Sequence, residues 1–260
     1  MLRPRIIPCL LIKDNGLVKT VGFDKPKYVG DPLNAVRIFN EKEVDELMVV
    51  DIDATVHGRE PNYKLIANLA AECRMPLCYG GGVSTPEQVQ RIISLGVEKV
   101  ALSAAAVKTP SLISKAAEWV GGQSVVVVMD VKKVGLLRRY EVFTHNGTKS
   151  TGLDPAAWAK QVEELGAGEV VINSIDQDGG MKGYYLSLVD RVRQATTLPM
   201  TVLGGAGSLS DLDALVHRFG IIGAAAGSLF VFKGKYKAVL INYPSRVEKD
   251  ALCAKAQNIS

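Results

Sequence analysis

The 260-residue sequence has few cysteines, few aromatic residues and no long apolar run, and each shortage excludes a class of protein. Its four cysteines, Cys9, Cys73, Cys78 and Cys253, form no Cys-x-x-Cys pair and no Cys/His ligand set, so neither a disulfide framework nor a metal site is indicated. The longest apolar runs have the length of a strand, and the first residues lack the apolar segment of a secretory signal. We therefore expect a cytoplasmic protein with no metal and no membrane contact.

An excess of either charge is also missing. The 31 Lys and Arg residues are nearly balanced by 27 Asp and Glu residues, and they are spread along the chain without the clustered basic stripe of a nucleic-acid binder. No nucleic-acid partner is expected, whereas an acidic small molecule remains compatible with the net charge of +4. The turn at Asn15-Gly16 is not the glycine-rich fingerprint of a dinucleotide site, and no cofactor is predicted.

What the sequence does contain is a regular alternation of short β-branched runs and amphipathic stretches, the pattern of β/α units around a parallel sheet. Eight units in this length predict a single (β/α)8 TIM barrel, with a doubly wound open sheet as the alternative. The predicted strands are 5–12, 46–51, 76–79, 98–102, 124–130, 169–174, 199–203 and 221–226. The predicted helices are 31–43, 61–73, 85–95, 110–120, 154–165, 186–195, 208–217 and 229–240.

The second half of the chain resembles the first. The run at 6–13 aligns with 125–132, Val50-Asp51-Ile52-Asp53 with 175–178, and Gly81-Gly82 with Gly204-Gly205, at offsets that are all about 120 residues. These offsets predict two fused half-barrels of about 1–122 and 123–243, followed by a polar tail at 244–260 that is predicted to form a surface helix. Chance similarity between apolar strands is the alternative explanation.

Small residues follow four of the predicted strands, at the end of a barrel where active sites lie. Turns without side chains let an anion approach backbone N–H groups, so they predict two phosphate cradles and a substrate with a phosphate at each end. Ordinary tight turns are the alternative. Lys19, in the long loop after the first strand, either reaches a phosphate or is a solvated lysine. The other predicted contacts with the phosphorylated substrate are Gly81, Gly82, Ser103, Asp178, Gly204, Gly205 and Ser228.

Several carboxylates also lie at these strand ends. Asp130 ends a run of valines, where burial would raise the pKa of its carboxyl and suit it to proton transfer. It is the predicted catalytic residue. Capping of the following turn is the alternative for Asp130 and equally for Asp51, Asp53, Asp176 and Asp178.

The motifs at these positions resemble those of the cyclase subunit of imidazole glycerol phosphate synthase over about residues 3 to 243. The shared motifs are Arg-Ile-Ile-Pro-Cys-Leu at 5–10, Gly-Asp-Pro at 30–32, Asp-Glu-Leu at 45–47, Gly-Gly-Gly at 80–82, Ser-Ile-Asp-Gln-Asp-Gly at 174–179 and Gly-Gly-Ala-Gly at 204–207. The resemblance implies a glutaminase subunit docked at the barrel bottom as the partner in a heterodimer. It also implies that ammonia crosses the barrel core to a bisphosphorylated ribonucleotide at the top, where imidazole glycerol phosphate forms.

The sequence departs from that family at one of its two catalytic aspartates. One aspartate corresponds to Asp130, but the other corresponds to Leu11, the same position that the internal repeat pairs with Asp130. Leucine cannot carry a proton, and losing one general acid or base typically lowers a rate by about 10² to 10⁴. Ser103-Ala104 also replaces the usual Asn-Thr, and Gln177 and Met181 replace commonly polar or basic residues.

Four charged residues stand at or beside the starts of predicted strands, at the opposite end of the barrel. Alternation along the first strand turns Arg5 to the same side as Leu11, so the four charges must pair inside the barrel. In the resembled family this ring is the gate for ammonia, whereas a salt-bridged plug is the alternative. The predicted gate residues are Arg5, Glu46, Lys99 and Glu169, and Glu98 is the predicted contact with the glutaminase.

Two functions remain open from the sequence. The first is a subunit that passes ammonia to an acceptor other than the cyclase substrate, such as the sugar amidotransferase associated with similar paralogues in surface-polysaccharide synthesis. The second is a genuine cyclase in histidine synthesis, in which another aspartate replaces the missing one. A scaffold that only activates its glutaminase is a third interpretation, and a related sugar isomerase ranks last because it needs aspartates at both 11 and 130. The hairpin-like segment Lys132 to Thr151 is predicted either to fold over the substrate or to form partner surface.

Overall fold

The computed structural model describes residues 3–256 and shows a closed barrel of eight parallel strands with helices between them. The strands are β1 (Arg5–Lys13), β2 (Gly16–Val21), β3 (Asp24–Gly30), β4 (Leu47–Asp51), β5 (Leu77–Gly80), β6 (Lys99–Leu102), β7 (Val125–Val134), β8 (Arg139–Thr144), β9 (Lys149–Ser150), β10 (Glu169–Ser174), β11 (Met200–Leu203), β12 (Gly223–Ala226), β13 (Phe232–Lys233) and β14 (Ala238–Val239). The helices are α1 (Pro32–Glu41), α2 (Tyr63–Glu72), α3 (Pro86–Ser94), α4 (Ala104–Lys108), α5 (Ser111–Val120), α6 (Pro155–Glu164), α7 (Leu186–Arg193), α8 (Leu209–Phe219), α9 (Ser228–Val231) and α10 (Arg246–Ala256).

The barrel strands follow one another in the order β1, β4, β5, β6, β7, β10, β11 and β12. Each pairs in parallel with the next, and β12 returns to β1 with Arg5 opposite Gly223 and Pro8 opposite Ala226. The ring therefore has no free edge among these eight strands. The predicted (β/α)8 TIM barrel is confirmed.

Local capping chemistry explains where several of the outer helices begin. The Asp31 side chain accepts a 2.9 Å hydrogen bond from the N–H of Asn34, and Pro32 occupies the first helical position of α1. Thr85 and Gln88 form a reciprocal capping box at the start of α3. These caps satisfy N–H groups that a helix cannot pair internally, so the turn from each strand into its helix is fixed locally.

Two separate cores result from the alternation of side chains along the strands. One lies between the barrel and its helices and includes Phe39, Trp158 and Phe230. The other fills the barrel itself, where Leu11, Val50, Val128 and Leu203 pack on its upper side. The buried members of this inner core are Ile7, Cys9, Met48, Cys78, Ala101, Val126, Val171 and Ala225.

The chain departs from the barrel repeat after β12. The predicted helix at 229–240 is wrong: only Ser228–Val231 is helical, and the chain then forms the short hairpin β13–β14. Gly234 and Lys237 adopt φ angles of +73° and +50°, which a helix does not allow. The turn in Lys-Gly-Lys-Tyr-Lys thus overrides the apolar spacing on which the helix prediction was based.

Two further hairpins rise from the same end of the barrel. The loop after β1 folds as β2–β3, with Leu11 paired to Val18, so this segment is a strand pair and not an irregular loop. The segment predicted to be hairpin-like at 132–151 is confirmed as β7–β8 with the short strand β9.

The helix predicted after residue 243 is α10, and it is attached to the barrel bottom. The Lys249 ammonium donates to the carbonyl of Glu43 at 2.8 Å and contacts Asp45 at 3.2 Å, and Leu252 is buried. Residues 257–260 of the predicted tail lie outside the described residues. No helix within residues 3–256 has the length and apolar character needed to cross a membrane.

Candidate functional site

A pocket opens at the carboxyl ends of the barrel strands, where the β-to-α turns converge. Asp130 and Leu11 both line it. The structure also brings every predicted substrate contact to this pocket: Lys19, Gly81, Gly82, Ser103, Asp178, Gly204, Gly205 and Ser228.

Leu11 and Asp130 stand on opposite walls of the barrel, because β1 and β7 are separated by three strands in either direction around the ring. Leu11 packs on the inner core and borders the pocket, as alternation along β1 predicts. One wall of the pocket therefore offers a carboxyl group and the facing wall offers an aliphatic side chain.

The Asp130 carboxyl borders the pocket at β7, beside Asn173. Burial raises its pKa to about 7, and the nearby Asp178 carboxylate adds to the rise, while a hydrogen bond from the Asn173 amide opposes it. That bond joins Asn173 Nδ2 to Asp130 Oδ1 at 2.9 Å. An acid with this pKa can both give and take a proton near neutral pH.

Lys19 is buried in the pocket wall, which excludes the alternative of a solvated loop lysine. It lies on β2, and its Nζ donates to the Cys9 carbonyl at 2.6 Å. Burial lowers the pKa of its ammonium. A Cβ on Gly227 would lie only 2.5 Å from Lys19 Nζ, which places the cation directly against the turn that follows β12.

The hairpin β2–β3 is tied across the pocket by Asp178. The Asp178 side chain accepts hydrogen bonds from the Thr20 hydroxyl at 2.7 Å and the Phe23 N–H at 3.2 Å, and its carbonyl accepts from Gly22 at 3.0 Å. Sequence reasoning did not identify Thr20 or Phe23, because nothing local connects them to a residue so distant in the chain.

A second crossing comes from the turn between β8 and β9. Asn146 Nδ2 donates to the carbonyl of Ile52 at 2.8 Å, so a residue following β8 reaches the loop after β4. Asn146 and Phe23 both line the pocket. The pocket is thus partly roofed by two segments, and Asn146 is another residue that the sequence did not reveal.

The glycine turns at the pocket are required by close approaches of the backbone. Gly81 has φ +112°, and a Cβ there would lie 2.3 Å from the Asp51 carbonyl oxygen. Gly205 has φ +117°, and its Cβ would lie 2.1 Å from the carbonyl oxygen of Gly183. Both values exclude a side chain, because real Cβ atoms do not approach this closely and L-residues avoid this φ.

The other strand-end carboxylates have structural partners. The Asp51 carboxylate accepts from the N–H groups of Asp53 and Ala54, both at 3.0 Å. Asp176 lies outside the pocket lining and accepts from the N–H of Lys133 at 3.0 Å. The capping interpretation fits both residues.

Asp53 is held by ion pairs. Its carboxylate lies 3.8 Å from Lys13 and 3.7 Å from Arg59. It is buried but is not part of the pocket lining. Of Asp51, Asp53 and Asp176, only Asp51 lines the pocket with Leu11, and its Oδ1 is occupied by two backbone N–H groups.

At the opposite end, Arg5, Glu46, Lys99 and Glu169 form a closed charged ring. Arg5 donates to Glu46 and, through Nη2, to Glu169 at 2.7 Å. Lys99 Nζ lies 2.9 Å from the Glu46 carboxylate and 2.8 Å from Glu169. Each cation bridges both carboxylates, so the predicted pairing of these four charges is present.

Pairing keeps Lys99 and Glu169 ionised in the charged ring. Burial alone would lower the pKa of Lys99 and raise that of Glu169, but the opposite charges outweigh it. The pKa of Lys99 therefore lies above its usual range and that of Glu169 below it. The ring closes the floor of the inner core with charges that attract each other.

Thr201 is a fifth member of this floor that the sequence did not reveal. Its hydroxyl donates to Glu169 Oε1 at 2.6 Å, and only 1% of the residue is exposed. Glu98, the predicted partner contact, is exposed at the same end, where its carboxylate accepts from the N–H of Leu77 at 2.7 Å.

Comparisons with known proteins agree with this architecture. Residues 5–237 match the model of the family described as histidine biosynthesis protein. The chain is 59% identical over 252 residues to the "Putative imidazole glycerol phosphate synthase subunit HisF" of Leptospira interrogans, covering 97% of this chain and 99% of the relative. It is 58% identical over 249 residues to the subunit named hisF3 of Vibrio vulnificus, covering 96% of each.

A more distant relative is the imidazole glycerol phosphate synthase subunit HisF of Natranaerobius thermophilus. It is 37% identical over 245 residues, covering 94% of this chain and 97% of the relative. The resemblance drawn from the motifs is therefore confirmed over nearly the whole length. The chain belongs to the histidine biosynthesis protein family, as an enzyme of the type of the imidazole glycerol phosphate synthase cyclase subunit HisF.

Proposed function

We propose that this chain receives ammonia from a glutaminase docked at the charged ring and passes it through the barrel to an acceptor other than the cyclase substrate. The observation that carries this proposal is the inward position of Leu11, opposite Asp130. Ring closure with ammonia moves protons on both sides of the substrate, and this pocket has an acid or base on one side only.

The neighbouring carboxylates do not supply the missing group. Asp51 is directed to backbone N–H groups, and Asp178 is bound to Thr20 and Phe23. The phosphate cradle predicted at the turns after β5 and β6 is weaker as well. The hydroxyl of Thr55 already accepts the N–H of Gly82, and Ala104 has no side-chain donor. These features favour loss of cyclase turnover.

The route for ammonia is supported by the character of the inner core. Its buried side chains between the charged ring and the pocket are aliphatic residues, methionine and two thiols. Burial raises the pKa of Cys9 to about 11 and that of Cys78 well above its usual value, so both are neutral. Such a path favours neutral ammonia over ammonium, because an unpaired charge is costly to bury. In this proposal the charged ring is the gate and the exposed Glu98 contacts the glutaminase.

The chain is more similar to the subunit named hisF3 of Vibrio vulnificus, at 58% identity, than to the HisF subunit of Natranaerobius thermophilus, at 37%. We interpret the number in hisF3 as the mark of an additional copy, and this supports a role separate from histidine synthesis. We include a sugar amidotransferase as the class of acceptor. The alternative function is a genuine cyclase, and the one observation that favours it is Asp130, whose pKa of about 7 suits a general acid or base.

A cyclase assay with the purified chain, the bisphosphorylated ribonucleotide and ammonium salt separates these functions. We expect turnover at least about 10²-fold below that of a normal cyclase subunit. Leu11→Asp should restore activity, and Leu11→Asn, which has a similar size but no titratable group, should not. Normal turnover of the unchanged chain would overturn the proposal.

A further inference from the structure

The hairpins at the open end of the barrel present large apolar side chains to solvent. Leu136 and Leu137, at the turn between β7 and β8, are 103% and 86% exposed. Tyr236, at the turn between β13 and β14, is 91% exposed. A single exposed apolar side chain is common on protein surfaces. Here Leu136, Leu137 and Tyr236 occupy the turns of two hairpins, and such grouping indicates a contact surface.

These tips belong to one face of the molecule. The β7–β8 hairpin follows the fifth barrel strand and β13–β14 follows the eighth, so both leave the barrel at the end where the pocket opens. The hairpin β2–β3 lies beside β13–β14, where Lys27 Nζ sits 5.7 Å from the centre of the Phe232 ring. We call the surface formed by these three hairpins the rim.

Two segments of the rim are strongly basic although the whole chain is not, while Asp24 and Glu141 are acidic residues of the same hairpins. Residues 132–139 include four basic side chains and no acidic one, and residues 233–237 include three basic side chains and no acidic one. Within residues 3–256 none of these seven cations forms an ion pair with a carboxylate. They are Lys132, Lys133, Arg138, Arg139, Lys233, Lys235 and Lys237. Lys132 and Lys133 lie over aromatic rings and Arg139 interacts electrostatically with Glu141, but none of the seven is neutralised by an ion pair with a described carboxylate, so together they can attract an acidic surface.

The composition of the rim suits a protein partner. Leucine, tyrosine and arginine at projecting tips can form the apolar centre and the charged anchors of an interface. The rim also surrounds a pocket that is only partly roofed by Phe23 and Asn146. A protein seated on the rim would cover this opening and keep ammonia out of bulk water.

We infer that the rim is the docking surface for the enzyme that accepts the ammonia, and that this enzyme meets it with an acidic surface. The inference rests on the proposed function and adds the place and chemistry of the contact. Ammonia then leaves the barrel between the three hairpins and enters the acceptor without passing through solvent.

The first step of the test identifies the acceptor. A photo-crosslinking amino acid at Leu137, introduced in cells of the source organism, marks the protein seated on the rim. That protein is purified and combined with the intact chain, its glutaminase and ¹⁵N-amide glutamine. We expect ¹⁵N to enter a substrate of the captured enzyme. A captured protein that takes up no nitrogen would overturn the inference.

Two rim variants then test the chemistry of the contact. Leu136→Ser with Leu137→Ser removes the apolar tip, and Arg138→Glu with Arg139→Glu reverses the charge. Both should lower glutamine-driven transfer at least tenfold, leave transfer from ammonium salt unchanged and preserve the melting temperature. Lys64→Glu with Lys160→Glu, on the exposed faces of α2 and α6, is the matched control and should have no effect.

Other outcomes separate the inference from the function beneath it. Efficient glutamine-driven transfer by both rim variants would overturn the docking surface and leave the proposed function intact. Normal cyclase turnover by the unchanged chain would overturn both. Sedimentation with phosphatidylglycerol–phosphatidylcholine vesicles that the serine variant abolishes, without any change in nitrogen transfer, would assign the rim to a membrane and also overturn the inference.

Discussion

Thr201 holds Glu169 in the charged ring through a 2.6 Å hydrogen bond, and both residues are buried. The same glutamate receives Arg5 and Lys99, so its position determines how both cations are placed. Thr201 is packed so closely that a Cβ on Gly223 would lie 2.0 Å from its hydroxyl oxygen. The hydroxyl thus fits a space that the neighbouring strand leaves empty.

Thr201→Val should lower the free energy of unfolding by about 1.5 to 3 kcal/mol, the usual value of a hydrogen bond to a charged group. Valine keeps the shape and removes the hydroxyl, which donates to Glu169 and accepts a longer hydrogen bond from Arg5 Nη2 at 3.4 Å. Urea unfolding at neutral pH measures the change, and Thr201→Ser is the control because it keeps the hydroxyl. Equal stability of the valine variant and the natural chain would show that the bond contributes nothing net.

Charge balance in the ring leads to a second prediction. Lys99→Met leaves two carboxylates with one cation and should destabilise the protein by about 3 kcal/mol, since removing one partner leaves an unpaired buried charge. Adding Glu46→Met restores an equal pair, Arg5 with Glu169, and should recover most of the loss. Urea unfolding of the single and double variants tests this. A double variant less stable than the single one would contradict it.

Asp130 predicts a pH dependence of stability. Its pKa in the folded protein, about 7, exceeds the ordinary value near 3.8, so between these pH values the folded state binds more protons than the unfolded state. Stability from this group therefore falls as pH rises from about 4 to 7, by at most about 4 kcal/mol and by less where pocket water screens the charge. Asp130→Asn should remove that slope. Unfolding curves at pH 5 and pH 8 that differ equally for both proteins would disprove the assignment.

Lys19 predicts a trade between stability and binding. Because burial lowers the pKa of its ammonium, folding with a charged Lys19 costs stability, and this cost diminishes only as pH rises from the lowered pKa toward the ordinary value of 10.5. Lys19→Met should therefore raise the melting temperature at pH 7 while weakening phosphate binding, measured by calorimetry with inorganic phosphate. Lys64→Met, on the exposed face of α2, is the control. Unchanged phosphate affinity in the Lys19 variant would exclude Lys19 as a phosphate contact.

Much of the barrel could be predicted from the sequence because its signals are local. Alternation along β1 correctly turned Arg5 and Leu11 inward, and Pro after Asp31 correctly marked the start of α1. The predicted helix at 229–240 was wrong because the apolar spacing of this segment suggested a helix that Gly234, with its positive φ, interrupts.

The residues that the sequence did not reveal act through long-range contacts. Thr20 bonds to Asp178 and Asn146 to Ile52, each across the barrel mouth, and only the closed fold brings them together. A single threonine such as Thr201 in a short strand forms no recognisable motif. A barrel does, however, predict that β11 pairs with β10, which places Thr201 beside Val171.

A ligand that enters the pocket and binds Asp178 competes with the hairpin β2–β3, which already holds this carboxylate. A ligand group that takes over the Asp178 carboxylate must displace the Thr20 hydroxyl and the Phe23 N–H. Occupancy and release of the hairpin then become a single linked equilibrium, in which each favours the other by the same free energy. A loaded pocket should consequently leave residues 16–30 more open to proteases and to amide hydrogen exchange than an empty one.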